Sequence, residues 1–209
     1  LPRAVQYAFP HNSFPLGAVH EFLCPNFPSE AATSGFIAAI LSSMMRQGRT
    51  TIWIGSGLTI FPPALKAFGI APEHIIFIRP RKEKDLLWIV EEALKCSSPA
   101  AVVAELEQLD FTSSRRLQLA VENSQVTGFL VRRHPKNLAT ACIARWSIAP
   151  LPSIPMNSLP GVGIPAWKVD LLKVRNGRPG SWQLQWQDGR LRAIPVFTDI
   201  HVEPHKKAG

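Results

Sequence analysis

Gly17-Ala18-Val19-His20-Glu21-Phe22-Leu23 reads as a short apolar strand, Cys24-Pro25-Asn26-Phe27-Pro28-Ser29-Glu30 as a turn, and Ala31 to Arg46 as a helix. Strand, loop and helix in that order are where a nucleotide-binding α/β protein keeps its phosphate cradle, G-x-x-x-x-G-K-[ST]. Here the loop has no glycine to bring the backbone close to a phosphate and no lysine to offset its charge. It carries a carboxylate instead, Glu30, at the helix N-terminus, where the peptide dipoles would otherwise favour an anion. The segment has the scaffold of an ATPase without its chemistry.

Outward from this unit, strand and helix signals alternate. Thr50 to Ile54 is a β-branched and aromatic run after Gly48, the expected stop of the first helix. Pro62-Pro63 opens a short helix that ends near Gly69, and Ile75 to Ile78 is the next strand. Apolar residues at 86, 87, 90 and 94 mark a helix over Glu83 to Lys95. Ala101 to Ala104 and Phe129 to Val131 read as buried strands on either side of a helix from Thr112 to Gln125, capped by Thr112 or Ser113. Continuous apolar strands separated by helices predict a parallel sheet covered on both faces.

Beyond Arg132 the texture changes. Ala141 to Ile148 alternates, Pro150 to Pro165 is a proline- and glycine-rich connection, and Trp167 to Arg175 with Ser181 to Gln187 flank a hairpin turn at Asn176-Gly177-Arg178-Pro179-Gly180. Asp188-Gly189 then turns into Leu191 to Val196. Antiparallel strands should therefore extend the sheet. Residues 1–198 are expected to form one domain, and 199–209 a frayed tail.

With 46% hydrophobic and 18% charged residues over 209 positions, the chain can bury a full core. No apolar run reaches the roughly 18 residues of a membrane span. Cys24, Cys96 and Cys142 are too far apart for a zinc motif, and buried reduced thiols in a cytoplasmic protein are expected. The histidines lack metal-ligand spacing and no G-x-S-x-G elbow is present, so neither a metal, a cofactor nor hydrolase chemistry is expected. Of the six tryptophans most should be core, while Trp182 and Trp186, on one hairpin face, are candidates for a partner. The net charge of +8 is one-sided. Residues 1–126 hold 11 Lys/Arg and 11 Asp/Glu, whereas 127–209 hold 12 against 4. A basic half attracts phosphate backbones through counterion release, or an acidic protein; the alternative is an ordinary basic surface kept for solubility.

A parallel sheet entered by an altered phosphate loop and finished by antiparallel strands resembles the RecA fold, three-layered with a mostly parallel central sheet. Particular segments resemble the ImuA-type family, RecA-like accessory proteins of error-prone DNA repair. These are Phe14 to Glu21, Leu87 to Leu94, Ser113 to Ala120, Ala144-Arg145-Trp146 and Leu171 to Gly180. The resemblance implies a role in damage-induced mutagenesis. It places the chain beside a Y-family-polymerase-like partner and an error-prone replicative-type polymerase, with RecA itself and DNA as further candidate partners and no membrane. The RecA pattern also puts a catalytic glutamate shortly after the second strand, where this chain has Ile54-Gly55-Ser56-Gly57. A third position, the metal-binding acid at a strand end, matches Glu105, read here as a solvated or capping carboxylate. No catalytic residue is therefore expected.

The candidate contact residues are arginines and a lysine. Arg132, Arg133 and Lys136 follow a parallel strand at its carboxyl end, where open α/β sheets bind ligands, and are the first nucleic-acid candidates. Arg115 and Arg116 open a helix whose Leu117, Leu119 and Ala120 should face the core; the pair is either a docking patch or a solvated face. Arg175 and Arg178 bracket the hairpin turn, in an order shifted from the RecA interface element, and their guanidinium forks suit phosphate or carboxylate. Two other readings stay open. One is a divergent ATPase taking its lysine from Lys66, Lys82 or Lys84. The other is a SulA-type cell-division inhibitor, which Val102 to Arg132 also resembles.

Overall fold

The computed structural model describes residues 1–45, 48–57, 60–133, 139–154 and 163–195. Nine strands form one sheet: β1 (Val19–Cys24), β2 (Thr51–Ile54), β3 (Ile75–Ile78), β4 (Ala101–Leu106), β5 (Thr127–Arg133), β6 (Ala144–Ile154), β7 (Ile164–Val174), β8 (Gly180–Gln187) and β9 (Arg190–Ala193). Their order is β3-β2-β4-β5-β1-β6-β7-β8-β9. The first six in that order run parallel, and β6 to β9 are joined antiparallel. This is the expected mixed α/β arrangement, a mostly parallel sheet finished by antiparallel strands.

Helices cover both faces. On one lies α2 (Phe27–Met44), on the other α3 (Leu86–Lys95) and α4 (Phe111–Ser124); a four-residue helix, α1 (Arg3–Gln6), leads the chain. Strand alternation sorts the core accordingly. Phe22, Trp53, Val103, Phe129, Val131, Trp146 and Trp167 pack toward α2, whereas Val19, Ile54, Val102, Ala104 and Leu130 meet Leu86, Val90, Leu94, Leu117 and Val121 of α3 and α4.

Several boundaries differ from those read in the sequence. The first helix begins at Phe27 rather than Ala31, because Asn26 caps it and Pro28 sits in the first turn, where its missing N–H costs nothing. Helix α4 begins at Phe111, since the Asp110 side chain accepts from Ser113 N–H at 2.6 Å and supersedes Thr112 or Ser113 as the cap. Leu119 is 48% exposed instead of facing the core. Trp182 packs against the α2-side core, and Trp186 is buried with its Nε1–H donating to Ala67 O at 3.0 Å, so neither offers an open aromatic face; Trp88 does, at 62% exposure. Cys24 and Cys142 are buried and Cys96 is exposed. Burial pushes the Cys24 thiol up to about 11 and the Cys142 thiol to about 12, which keeps both protonated. Residues 199–209 and Lys136 lie outside the described residues. No helix among the described residues is long and apolar enough to cross a membrane.

His20 shows how tightly the start of β1 is held. Its ring stacks on Phe14 at 4.4 Å between centroids, Nε2 bonds Pro15 O at 2.8 Å, and Nδ1 accepts from Trp146 Nε1–H at 3.4 Å. Full burial lowers its pKa from 6.5 to about 4. Between those values the unfolded chain holds a proton that the folded chain refuses, so stability is complete above pH 6.5 and falls as pH drops toward 4. The loss should reach roughly 2–3 kcal/mol by pH 4.5. Urea titrations at pH 7.5 and 4.5 should show wild type losing that much more than His20→Phe; equal losses would remove the histidine from the acid response.

Candidate functional site

The carboxyl ends of the parallel strands form the corner where an open α/β sheet binds its ligand, and here that corner is filled from within. Asn26 caps α2. Its Oδ1 accepts from Ser29 N–H at 3.0 Å while Ser29 Oγ accepts from Asn26 N–H at 3.2 Å, a reciprocal capping box. Glu30, in the first turn, is buried and faces Arg133 at the end of β5, with 3.4 Å between Arg133 Nε and Glu30 Oε2. The same guanidinium pairs with the Glu105 carboxylate on β4 and donates to Gly57 O at 2.9 Å. Glu105 also accepts from Trp53 Nε1–H at 2.8 Å.

Glu105, expected to be solvated, is only 5% exposed. It fits because Gly55 has no side chain: a Cβ there would lie 3.1 Å from the Glu105 Cβ and Oε2. The space a side chain at position 55 would need is the space the neighbouring glutamate occupies. One arginine cation stands between two carboxylates, so the corner closes on a salt bridge made entirely of side chains.

A second buried network lies on the α4 side of the same strands. Glu21, fully buried in the middle of β1, pairs with Arg132 NH1 at 2.5 Å through Oε1 and with Arg145 Nε at 2.8 Å through Oε2, which also accepts from Thr140 Oγ1 at 2.8 Å. Register explains the meeting: Arg145 is the direct neighbour of Glu21 on β6, and Arg132 lies diagonally across on β5. Arg132 is 1% exposed. As a buried partner of Glu21 it cannot touch a nucleic acid, which corrects its place among the contact candidates. Arg133 is likewise committed to Glu30 and Glu105.

The remaining candidates separate into two places. Arg115 and Arg116 are exposed on α4, where Arg116 pairs with Glu91 of α3. Beside them, cavities of about 180 and 290 Å³ are lined in part by Trp88, Glu91, Arg116 and Leu119. Arg175 and Arg178 are exposed at the β7–β8 turn, at the far end of the sheet from the closed corner. Lys66, Lys82 and Lys84 are exposed, and none takes part in the ion pairs of that corner. The sequence reading missed Glu21 and Arg145 as an ion pair. Their signal was available: charged residues at the centre of apolar strands are almost never buried alone.

No known family model matches the chain. Protein ImuA of Caulobacter vibrioides, in strains NA1000/CB15N and ATCC 19089/CIP 103742/CB 15, is 34% identical over 198 residues, covering 88% of this chain and 81% of the relative. Among solved structures, SulA from Pseudomonas aeruginosa aligns with a TM-score of 0.47 at 21% identity, over 57% of this chain and 99% of SulA. At that identity over that share of both chains, the chain belongs to the ImuA family.

Proposed function

We propose that this chain is a non-catalytic, RecA-like adaptor in damage-induced mutagenic DNA repair, and that it acts by docking protein partners. The observation that carries the reading is the Glu30–Arg133–Glu105 bridge, which occupies the corner where an ATPase of this fold would work. A phosphate approaching it would meet Glu30 instead of a lysine, and a magnesium ion would have to displace a guanidinium from Glu105. Family membership supports the pathway. The resemblance supplies the partners, a Y-family-polymerase-like protein and an error-prone replicative-type polymerase, with RecA as a third.

The docking surface that fits a protein best is the α3–α4 face. Trp88 and Leu119 are exposed there beside Arg115 and Arg116, an aromatic and aliphatic pair flanked by guanidinium groups. Two measurements test the reading. A fluorescent-ATP titration with magnesium should show an affinity no better than about 1 mM; saturable micromolar binding would overturn the non-catalytic half. Co-elution of the purified polymerase-like partner should survive in wild type and weaken about tenfold or more in Trp88→Ala with Arg116→Glu. Equal retention by both proteins would remove this face.

A further inference from the structure

Four small residues, Ala31, Ser34, Gly35 and Ala38, follow one another at helical spacing along α2. Facing them are Phe68, which ends the short 3-10 helix Pro62–Phe68, and Trp167 of β7, with 6.4 Å between ring centroids. Small side chains opposite large rings leave a gap, here a cavity of about 350 Å³ that Phe61 also borders. Gly35 sets how near helix and ring can come, since a Cβ there would lie 3.3 Å from Trp167 Cζ2 and 3.8 Å from Cε2. Among the described residues no charged side chain lines the cavity.

Two polar groups on this apolar lining lack partners. Ser34 is 9% exposed and Trp167 4%, yet neither the Ser34 hydroxyl nor the Trp167 Nε1–H makes a hydrogen bond among the described residues. Comparable groups elsewhere in the chain do. Ser43 and Ser114 donate their hydroxyls to Ile40 O and Phe111 O, both at 2.8 Å. The indole N–H groups of Trp53, Trp146 and Trp186 donate to Glu105, His20 and Ala67. A buried donor left unpaired costs stability, so two of them on one cavity mark where a ligand's polar atom belongs. The Trp167 edge against Gly35 includes Cε2, the carbon bonded to Nε1, so the indole N–H side lies beside the residue next to Ser34.

Ligand sites run from about 300 to 1,000 Å³, so this cavity has room for one ring rather than for a cofactor. Two exposed rings flank it: Phe61 on its lining, 69% exposed, and Phe27, 72% exposed and one helical turn before Ala31. Large apolar side chains grouped in water mark a surface that another protein covers, and a small molecule inside the cavity would leave them wet. We propose that the cavity receives a tyrosine side chain from a partner protein. Its phenol oxygen accepts from Trp167 Nε1–H and its hydroxyl hydrogen goes to Ser34, while apolar neighbours in the same segment cover Phe27 and Phe61. A tyrosine hydroxyl donates and accepts, whereas tryptophan only donates and phenylalanine does neither. The site adds a second contact to the adaptor reading, on the α2 face of the sheet, and does not depend on the α3–α4 surface.

The test is a titration of the whole chain with p-cresol, the tyrosine side chain as a free molecule, followed by proton–nitrogen correlation spectra. The Trp167 Nε1–H resonance should shift and saturate with a Kd of about 1 mM, and toluene should bind about three- to tenfold more weakly. Ser34→Ala should weaken p-cresol by roughly the same factor and leave toluene unchanged. Ala31→Trp, at the exposed alanine of the lining, should block both ligands while circular dichroism shows the fold intact. A capped leucyl-tyrosyl-leucine tripeptide should bind about tenfold or more tightly than p-cresol, and Phe27→Ser should remove that gain while leaving p-cresol unchanged. Equal affinity for p-cresol and toluene, or a Trp167 resonance that does not move, overturns the tyrosine assignment. Binding that persists in Ala31→Trp places the ligand elsewhere and overturns the site. A tripeptide no tighter than p-cresol makes this a small-molecule cavity and overturns the docking proposal. None of these outcomes bears on Trp88, Arg116 or Leu119, which line other cavities.

Discussion

Glu21→Ala should lower the free energy of unfolding by about 3–5 kcal/mol, read from urea denaturation at neutral pH. Glu21 is fully buried and neutralises two guanidinium groups. Arg145 is partly exposed and can turn toward water, but Arg132 cannot, because it is enclosed on β5. The cost is therefore mainly that of one buried cation left without its carboxylate. Against a typical total of about 5–15 kcal/mol, such a loss leaves the variant marginal at 37 °C. Glu21→Leu combined with Arg132→Met should recover most of the deficit, because apolar side chains of similar volume replace a buried ion pair at little net cost. A deficit below about 1 kcal/mol in the single variant would put this pair in the class of solvated surface bridges and sink the account.

Arg133→Met should cost about 3 kcal/mol at pH 7 by the same measurement. Here the stranded groups are anions: Glu30 and Glu105 would lose the cation they share, while Trp53 Nε1–H would still donate to Glu105. Arg133→Met with Glu30→Gln and Glu105→Gln should restore most of the stability at pH 7, since neutral amides need no counter-charge. If the two amides recover none of the loss, the arginine serves by packing alone.

These two networks give part of the family resemblance a structural meaning. Phe14 to Glu21 supplies the ring stacked on His20 and the carboxylate that holds two arginines. Ala144-Arg145-Trp146 supplies a partner of that carboxylate and a fully buried ring. The turn after Leu171 needs Gly177 beneath the Ala8 carbonyl and Asn176 at φ 56. These residues report the fold, whereas Trp88, Arg115, Arg116 and Leu119, from the other resembling segments, stay at the surface.

Alternation of apolar runs with helical stripes was enough to determine the mixed sheet, since burial on both faces of a strand leaves a continuous hydrophobic signature and burial on one face leaves period two. The missing glycine and lysine after β1 were equally plain, because composition of a loop is local. What the sequence could not decide is which arginines are spent. Arg132 and Arg133 sit next to each other and look alike, yet strand alternation sends one to Glu21 on the α4 side and the other to Glu30 and Glu105 on the α2 side. Arg175 and Arg178, equally basic in the sequence, stay at the surface because their turn is held by backbone hydrogen bonds to Ile143 and Ala8. Charge is a property of the residue, but its pairing is a property of strands distant in sequence, and only the tertiary structure brings those together.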